Sequence, residues 1–279
     1  MINGMTGLGK AHEQPVALIT GARWGIGLAT ARLLQSSGYQ VYGTSRKGQT
    51  SSTLGIEMLQ LEAADEDSVR RCVQEINART QRLDVLVYSI GDGIAGAVEE
   101  ISIREAIPVF EANFWGAVRL AQSVVPLMRH RRQGHVVFIS SIGGEVGVPF
   151  RGFYCASKFA LEAFAEALRL EVAPFGISVS LIQPPGVRTP AVENVRYAYA
   201  PLAEYAERQQ ALTRRFNQAM RDGIQPERVA RAILKVLSSR RKPLRVRVGV
   251  QARGLLGLRR VLPQIAFERL LRRVLLEDR

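Results

Sequence analysis

Short apolar, β-branched runs alternate along this chain with longer stretches whose apolar residues recur at helical spacing. The runs at 16–20, 40–45, 57–61, 85–89, 136–140, 178–182 and 244–248 read as strands. The stretches at 26–36, 66–78, 103–128, 153–173 and 226–237 read as helices, and Asp65 with Ser68 ahead of Val69 marks a helix start. No internal repeat or low-complexity linker interrupts the series. Strand–helix alternation of this kind predicts an α/β fold with a parallel sheet in a single domain.

Two places in this pattern carry chemistry. The first strand runs into TGARWGIG, with Gly21, Gly25 and Gly27, and helical spacing then resumes over 28–34. Glycines let the backbone approach a pyrophosphate, and the following helix N-terminus offers free N–H groups and a positive dipole end. The spacing Gly-x-x-x-Gly-x-Gly differs from the commoner Gly-x-Gly-x-x-Gly. Further on, SSIGGEVGVPFRGFYCASK places Ser141 thirteen residues before Tyr154 and Lys158 four after it. Residues four apart on a helix share a face, with Cβ atoms about 5–6 Å apart. A phenol near its ordinary pKa of ~10 is a poor acid–base group at neutral pH. An ammonium one turn away is expected to favour the phenolate and bring it into a useful range.

With these two features together, the chain resembles the short-chain dehydrogenase/reductase family from about residue 15 to 237. The matching motifs are TGARWGIG at 20–27, Asn113 in EANFWGAVRL, ISSIGG at 139–144, YCASK at 154–158 and QPPGVRT at 183–189. The run GFYCASKFALEAFAEALRLEVAPFGISV is most similar to the hydroxysteroid and retinol dehydrogenase branch. The resemblance implies a doubly wound parallel sheet, a Rossmann-type domain over 15–239, with a substrate lid about 190–223, and hydride transfer between a nicotinamide and an alcohol or carbonyl. It implies Tyr154 as general acid/base, Ser141 holding the reacting oxygen, Lys158 on the nicotinamide ribose and Asn113 on a relay water. It also assigns Gly21, Ile26, Gly25, Gly27, Glu62, Ser89, Gly91, Pro184, Val187 and Thr189 to the cofactor. Family members commonly pair through helices at 104–129 and 153–173, so a homodimer or homotetramer is expected.

The chain departs from the family pattern in three places. Tyr88-Ser89-Ile90-Gly91 replaces Asn-Asn-Ala-Gly, Glu62 stands where an Asp is usual, and Pro185 takes a glycine position after Pro184. At the end of the second strand, Ser45 replaces the acid that would bind ribose hydroxyls, and Arg46 and Lys47 follow it. Arg23 in the glycine turn adds a further cation. A 2′-phosphate matches an arginine fork, so NADP(H) is the expected cofactor. A hydrophobic steroid-, retinoid- or lipid-like alcohol or ketone suits the lid's Tyr197, Tyr199, Tyr205 and Phe216. Two readings stand beside the oxidoreductase: a catalytically silent nucleotide-binding regulator or scaffold, and a sugar-nucleotide epimerase or dehydratase.

Composition narrows the partners. The net charge is +13, but 240–279 holds 12 Lys and Arg against 3 Asp and Glu, a net of +9. Within it, Ile265, Phe267, Leu270, Leu271, Val274 and Leu275 recur at helical spacing with Arg269, Arg272 and Arg273 toward the other side, and Pro263 breaks the helix ahead of them. The segment is expected to be a basic amphipathic extension that packs on the domain, touches an anionic membrane, or forms a wall of the substrate cleft or a subunit contact. No nucleic-acid module accompanies the charge, so no nucleic-acid partner is expected. Cys72 and Cys155 offer no disulfide framework, which points to a reduced cytoplasm. His12, His130 and His135 do not cluster at ligand spacing, so no catalytic metal is expected. Residues 1–14, which include GLGK without a preceding strand, read as a flexible tail with neither a secretion signal nor a phosphate loop.

Overall fold

The computed structural model describes residues 14–47, 56–190 and 195–275. The expected tail with its GLGK and His12, and residues 191–194 of the expected lid, lie outside the described residues. The strands are β1 (Val16–Ile19), β2 (Gln40–Ser45), β3 (Glu57–Gln60), β4 (Val85–Tyr88), β5 (Ile94–Ala95), β6 (Gly134–Ile139), β7 (Ile177–Gln183), β8 (Arg196–Tyr197) and β9 (Arg245–Arg247). Seven of them form one parallel sheet in the order β3-β2-β1-β4-β6-β7-β9. Strand order reverses between β1 and β4. In open parallel sheets that crevice, at the carboxyl ends of the strands, is where ligands bind.

Side chains alternate between two cores with the period of the pleat. Leu18, Leu86 and Phe138 point to a core that also contains Val69, Leu120 and Leu161. These come from α2 (Glu66–Thr80), α4 (Gly116–Arg131) and α5 (Gly152–Val172). Ala17, Ile19, Val87 and Val137 point to the other core, with Leu34 and Ile233 from α1 (Gly25–Ser36) and α7 (Pro226–Ser238). Apolar cover on both faces explains why these strands read as continuous apolar runs. Asp65 accepts from the N–H groups of Asp67 and Ser68 and so starts α2 where the sequence signals it.

The helix expected over 103–128 is not continuous. It divides into α3 (Ile103–Phe110), a π-helical turn over Glu111–Trp115, and α4. The buried Tyr88 hydroxyl donates to the Ala112 carbonyl at 2.6 Å. Gly116 makes room for it, because a Cβ there would collide with the phenol oxygen. The wide turn carries Asn113, and such bulges often sit at functional sites. Periodicity could not show it, since the competing hydrogen bond comes from another strand.

The sequence pattern also left out β5 and β8, which pair in a separate two-stranded sheet, and α6 (Ala203–Arg221). Past α7, β9 closes one edge of the main sheet. The chain then forms α8 (Val250–Val261) and α9 (Gln264–Leu275), separated at Pro263. Leu256 and Phe267 from these helices pack on Val146 together with Ile142, Leu255, Leu262 and Leu271.

Candidate active site

β6 ends beneath the reaction chemistry. Ser141 follows it, and its hydroxyl accepts from the Gly143 N–H at 3.1 Å, closing a tight turn. A Cβ on Gly143 would stand 3.1 Å from the Tyr154 ring and 3.6 Å from the Ser141 hydroxyl, so this turn lies directly on the pair. Tyr154, in the first turn of α5, lies beside Ser141, whose hydroxyl acts on its phenol. The expectation of a lowered phenol pKa does not hold here: burial raises it above its ordinary value, opposed by the Ser141 hydroxyl and by Arg151. Lys158 lies one turn further along, buried, and its ammonium donates to the Ile139 carbonyl at 2.9 Å. Desolvation lowers Lys158 to about 8, opposed by Glu162 one turn beyond.

Asn113 joins this group from the π-helical turn. Its amide donates to the Asp92 carbonyl and to the Ser157 hydroxyl, both at 2.9 Å, and its oxygen accepts from the Asp92 N–H at 2.9 Å. Gly91 lies between Asn113 and Lys158: a Cβ on it would sit 3.3 Å from the Asn113 oxygen and 3.8 Å from the Lys158 nitrogen. Ser141, Tyr154, Lys158 and Asn113 thus come together from β6, α5 and the α3–α4 junction, at the carboxyl ends of the central strands.

The glycine turn faces the same crevice. Gly25 has a φ of +59°, which a side chain would strain, and Thr189 lies close enough for a Cβ there to approach it at 3.1 Å. A Cβ on Gly27 would collide with the Gly21 carbonyl. Trp24 precedes α1 in an extended conformation with no side-chain cap and no acid in the first turn, so the helix end remains open to an anion. These features fit a dinucleotide pyrophosphate.

Most of the other expected cofactor residues lie at or just past the carboxyl ends of the parallel strands. The Ala22 N–H bonds the Thr44 carbonyl, which ties the turn to the end of β2. Ser45 ends that strand, and Arg23, Arg46 and Lys47 are exposed, with no ion pair among the described residues. Ser89 is fixed through its N–H to Thr20 Oγ1, and Ile26 lies in the first turn of α1. The exposed Glu62 carboxylate accepts from the Ala64 N–H. Pro184 and Val187 are buried along the turn after β7, where Val187 bridges to Ile224. No group of three or more His, Cys, Asp or Glu able to hold a metal occurs among the described residues.

Three features of the site escaped the sequence reading. Ser157 donates to the Tyr154 carbonyl at 2.7 Å while accepting from Asn113, tying the π-helical turn to α5. The capacity of a helical serine to bond back one turn was the available signal. A second feature is a polar cluster behind Lys158. Gln183 donates to Glu145 and Glu162, Arg245 pairs with Glu162 at 2.7 Å and Glu166 at 2.6 Å, and Arg247 pairs with Glu145 at 3.2 Å. This cluster joins β9 to the turn after Ser141 and to α5. The third is Arg151, buried just ahead of α5 with its guanidinium 4.1 Å from the Phe216 ring of α6. No spacing rule connects residues this far apart.

A family model described as short chain dehydrogenase matches residues 15–200. A 3-ketodihydrosphingosine reductase of Bacteroides thetaiotaomicron is 39% identical over 240 residues, spanning 85% of this chain and 88% of that protein. Human retinol dehydrogenase 8 is 37% identical over 266 residues, spanning 88% and 84%. The crystal structure of a short-chain dehydrogenase from Streptomyces avermitilis superposes with a TM-score of 0.81 at 32% identity, covering 95% of this chain and 99% of that one.

Proposed function

The chain belongs to the short-chain dehydrogenase/reductase family, and from that premise we propose that it is an NADP(H)-dependent oxidoreductase interconverting a hydrophobic alcohol and its ketone. The observation that carries the reading is the meeting of Tyr154 with Ser141 at the end of β6, with Lys158 one turn along the same helix and Asn113 reaching in from the π-helical turn. A bound nicotinamide supplies or accepts the hydride. The remaining work falls to the protein. Ser141 donates to the substrate oxygen and stabilises the charge that develops there. Tyr154, held in its protonated form by burial, gives its proton to that oxygen in reduction and takes it back in oxidation. Lys158 and Asn113 bring ribose and relay water to the site.

Gly21, Gly25, Ile26 and Gly27 would hold the pyrophosphate, and Ser89, Gly91 and Glu62 the adenosine side. Pro184, Val187 and Thr189 would line the nicotinamide. Arg23, Arg46 and Lys47, beside Ser45, favour the 2′-phosphate of NADP(H). The apolar and aromatic side chains of Ile142, Phe150, Tyr197 and Phe216, gathered around Arg151 and the turn after Ser141, suit a steroid-, retinoid- or lipid-like molecule.

Two surface readings accompany the activity. Ile107, Trp115, Phe159 and Leu170 are exposed on α3, the π-helical turn and α5 and would be covered in a homodimer or homotetramer. The α8–α9 corner exposes Leu258, Val261 and Ile265 beside Arg260 and Arg269, which suits peripheral contact with an anionic membrane. Among the described residues no helix is long and apolar enough to cross one. Truncation at Arg240 is a poor test of that contact, because it removes β9 from the sheet. Replacing Leu258, Val261 and Ile265 together by Ser keeps the fold, and liposome sedimentation equal to wild type would refute the contact.

The activity is tested by oxidation of NADPH and NADH against a panel of long-chain ketones and aldehydes, with Tyr154→Phe as control. Turnover of an apolar ketone with NADPH, abolished in the variant, is expected. Silence toward every carbonyl with both cofactors would refute the proposal.

A further inference from the structure

Four partly buried arginines meet carboxylates, and the one arginine that is fully buried among the described residues does not. Arg82 meets Asp84 at 2.8 Å, Arg119 meets Glu111 at 2.7 Å, and Arg245 and Arg247 meet Glu162 and Glu145. Arg151 is more deeply placed than any of these, at 6% exposure, yet among the described residues no carboxylate or other acceptor meets its side chain. Its guanidinium lies over the face of Phe216. A guanidinium does not shed its proton at neutral pH, so burial without a counter-charge is costly.

The surroundings of Arg151 point into the cleft. The polar groups acting on it are Tyr197, Tyr154 and Cys155, from the β5–β8 sheet and the start of α5. Its nitrogens are not among the sealed polar atoms without a partner, which are those of Thr30, Thr44, His135, Ser140 and Gln183, so its tip remains in contact with open space. Stacking on Phe216 covers one face of the guanidinium and leaves the in-plane N–H fork for a planar or tetrahedral anion. The loop before it is built to hold this position: Phe150 adopts a φ of +58°, packs on Tyr205 of α6, and accepts from the Gly96 N–H through its carbonyl. A non-glycine residue in that conformation persists only where its surroundings impose it.

We propose that Arg151 binds the anionic group of the substrate, so that this enzyme acts on an apolar ketone or alcohol carrying a carboxylate or phosphate close to the reacting carbon. The assignment deepens the oxidoreductase reading and rests on it for the reaction itself. It also predicts selection against an ammonium: a long-chain amino ketone would bring a second cation against Arg151.

The test uses the full-length protein and matched probes of one chain length. They are a long-chain oxo acid, its methyl ester, the oxo alkyl phosphate and the amino ketone. Wild type should favour the acid or phosphate over the ester by about tenfold or more in kcat/KM, mainly through KM. Arg151→Met should erase the preference, and Arg151→Lys should restore part of it. Calorimetric binding of an unreactive alkyl carboxylate, alkyl phosphate and alkyl alcohol gives a readout independent of turnover. The anions should bind wild type about tenfold tighter than the alcohol and lose that margin in Arg151→Met. The carboxylate and phosphate arms identify which anion the site takes. Equal treatment of acid and ester by wild type, or a preference surviving in Arg151→Met, would overturn the proposal. If the Met variant does not fold, the wild-type comparison of anion, ester and alcohol decides. Absence of any turnover would count against the oxidoreductase reading, while the binding arm would still judge Arg151.

Discussion

The proposed nucleotide side and the proposed substrate side of this crevice are built differently. On the nucleotide side, Gly21, Gly25 and Gly27 and the open end of α1 are neighbours along the chain. Tyr154 and Lys158 likewise share one helix, and local geometry largely dictates their placement. The substrate side is gathered from afar: the loop 142–151, α6, the β5–β8 sheet and the α8–α9 pair meet only in the folded protein. The difference teaches that the reaction is written in short motifs, whereas the choice of substrate depends on long-range packing.

Substitutions on the two sides should therefore fail in different ways. The largest effect is expected from Tyr154→Phe, which removes the proton donor and should cut kcat by about 10²–10⁴ with the fold intact by circular dichroism. In wild type, a phenol held above its ordinary pKa stays protonated at neutral pH. Ketone reduction should then be flat through neutrality, while alcohol oxidation, which needs the phenolate, should keep rising as pH increases; pH–rate profiles in both directions check this.

The next effect distinguishes packing from motif. Arg245→Leu leaves Glu162 and Glu145 short of a partner and should destabilise the protein by about 2–4 kcal/mol in chemical denaturation, although Arg245 touches no reacting group. A loss of activity at unchanged stability would show instead that the cluster acts on Lys158 directly. On the nucleotide side, Arg46→Glu should lower the preference for NADPH over NADH by about tenfold to a hundredfold and leave stability within about 0.5 kcal/mol. An unchanged cofactor ratio would remove Arg46 from the 2′-phosphate site.

A smaller effect belongs to the sheet itself. His135 is buried against Ser180, and burial with the nearby Lys242 and Arg169 lowers its pKa to about 3. A base whose folded value lies below its unfolded value near 6.5 contributes stability that is present above that value and lost as pH falls toward 3. Between pH 7 and pH 5 the loss from this one group should be about 2 kcal/mol. His135→Gln should show a shallower loss in thermal denaturation over the same range.

Much of the main sheet was legible because its strands are buried on both faces and its helices carry a regular apolar stripe. The departures have specific causes. The break at Glu111–Trp115 arises from the Tyr88 hydroxyl, which lies on a strand distant in sequence. β5 and β8 are two residues each, too short for any period to register. The depressed phenol pKa expected from Lys158 failed for a similar reason. Spacing reports that an ammonium is one turn away, but not that it donates to the Ile139 carbonyl or how far burial outweighs it.

By itself, the sequence determined the alternation of strands and helices, the phosphate cradle and the Ser–Tyr–Lys spacing, because each depends on residues within a few turns of one another. Only the tertiary structure decided that Asn113 rides on a widened helical turn, that β9 is braced to the active-site helix, and that Arg151 is buried without a counter-charge. A charge is paired or unpaired through whatever segment folds against it, and no local pattern contains that information.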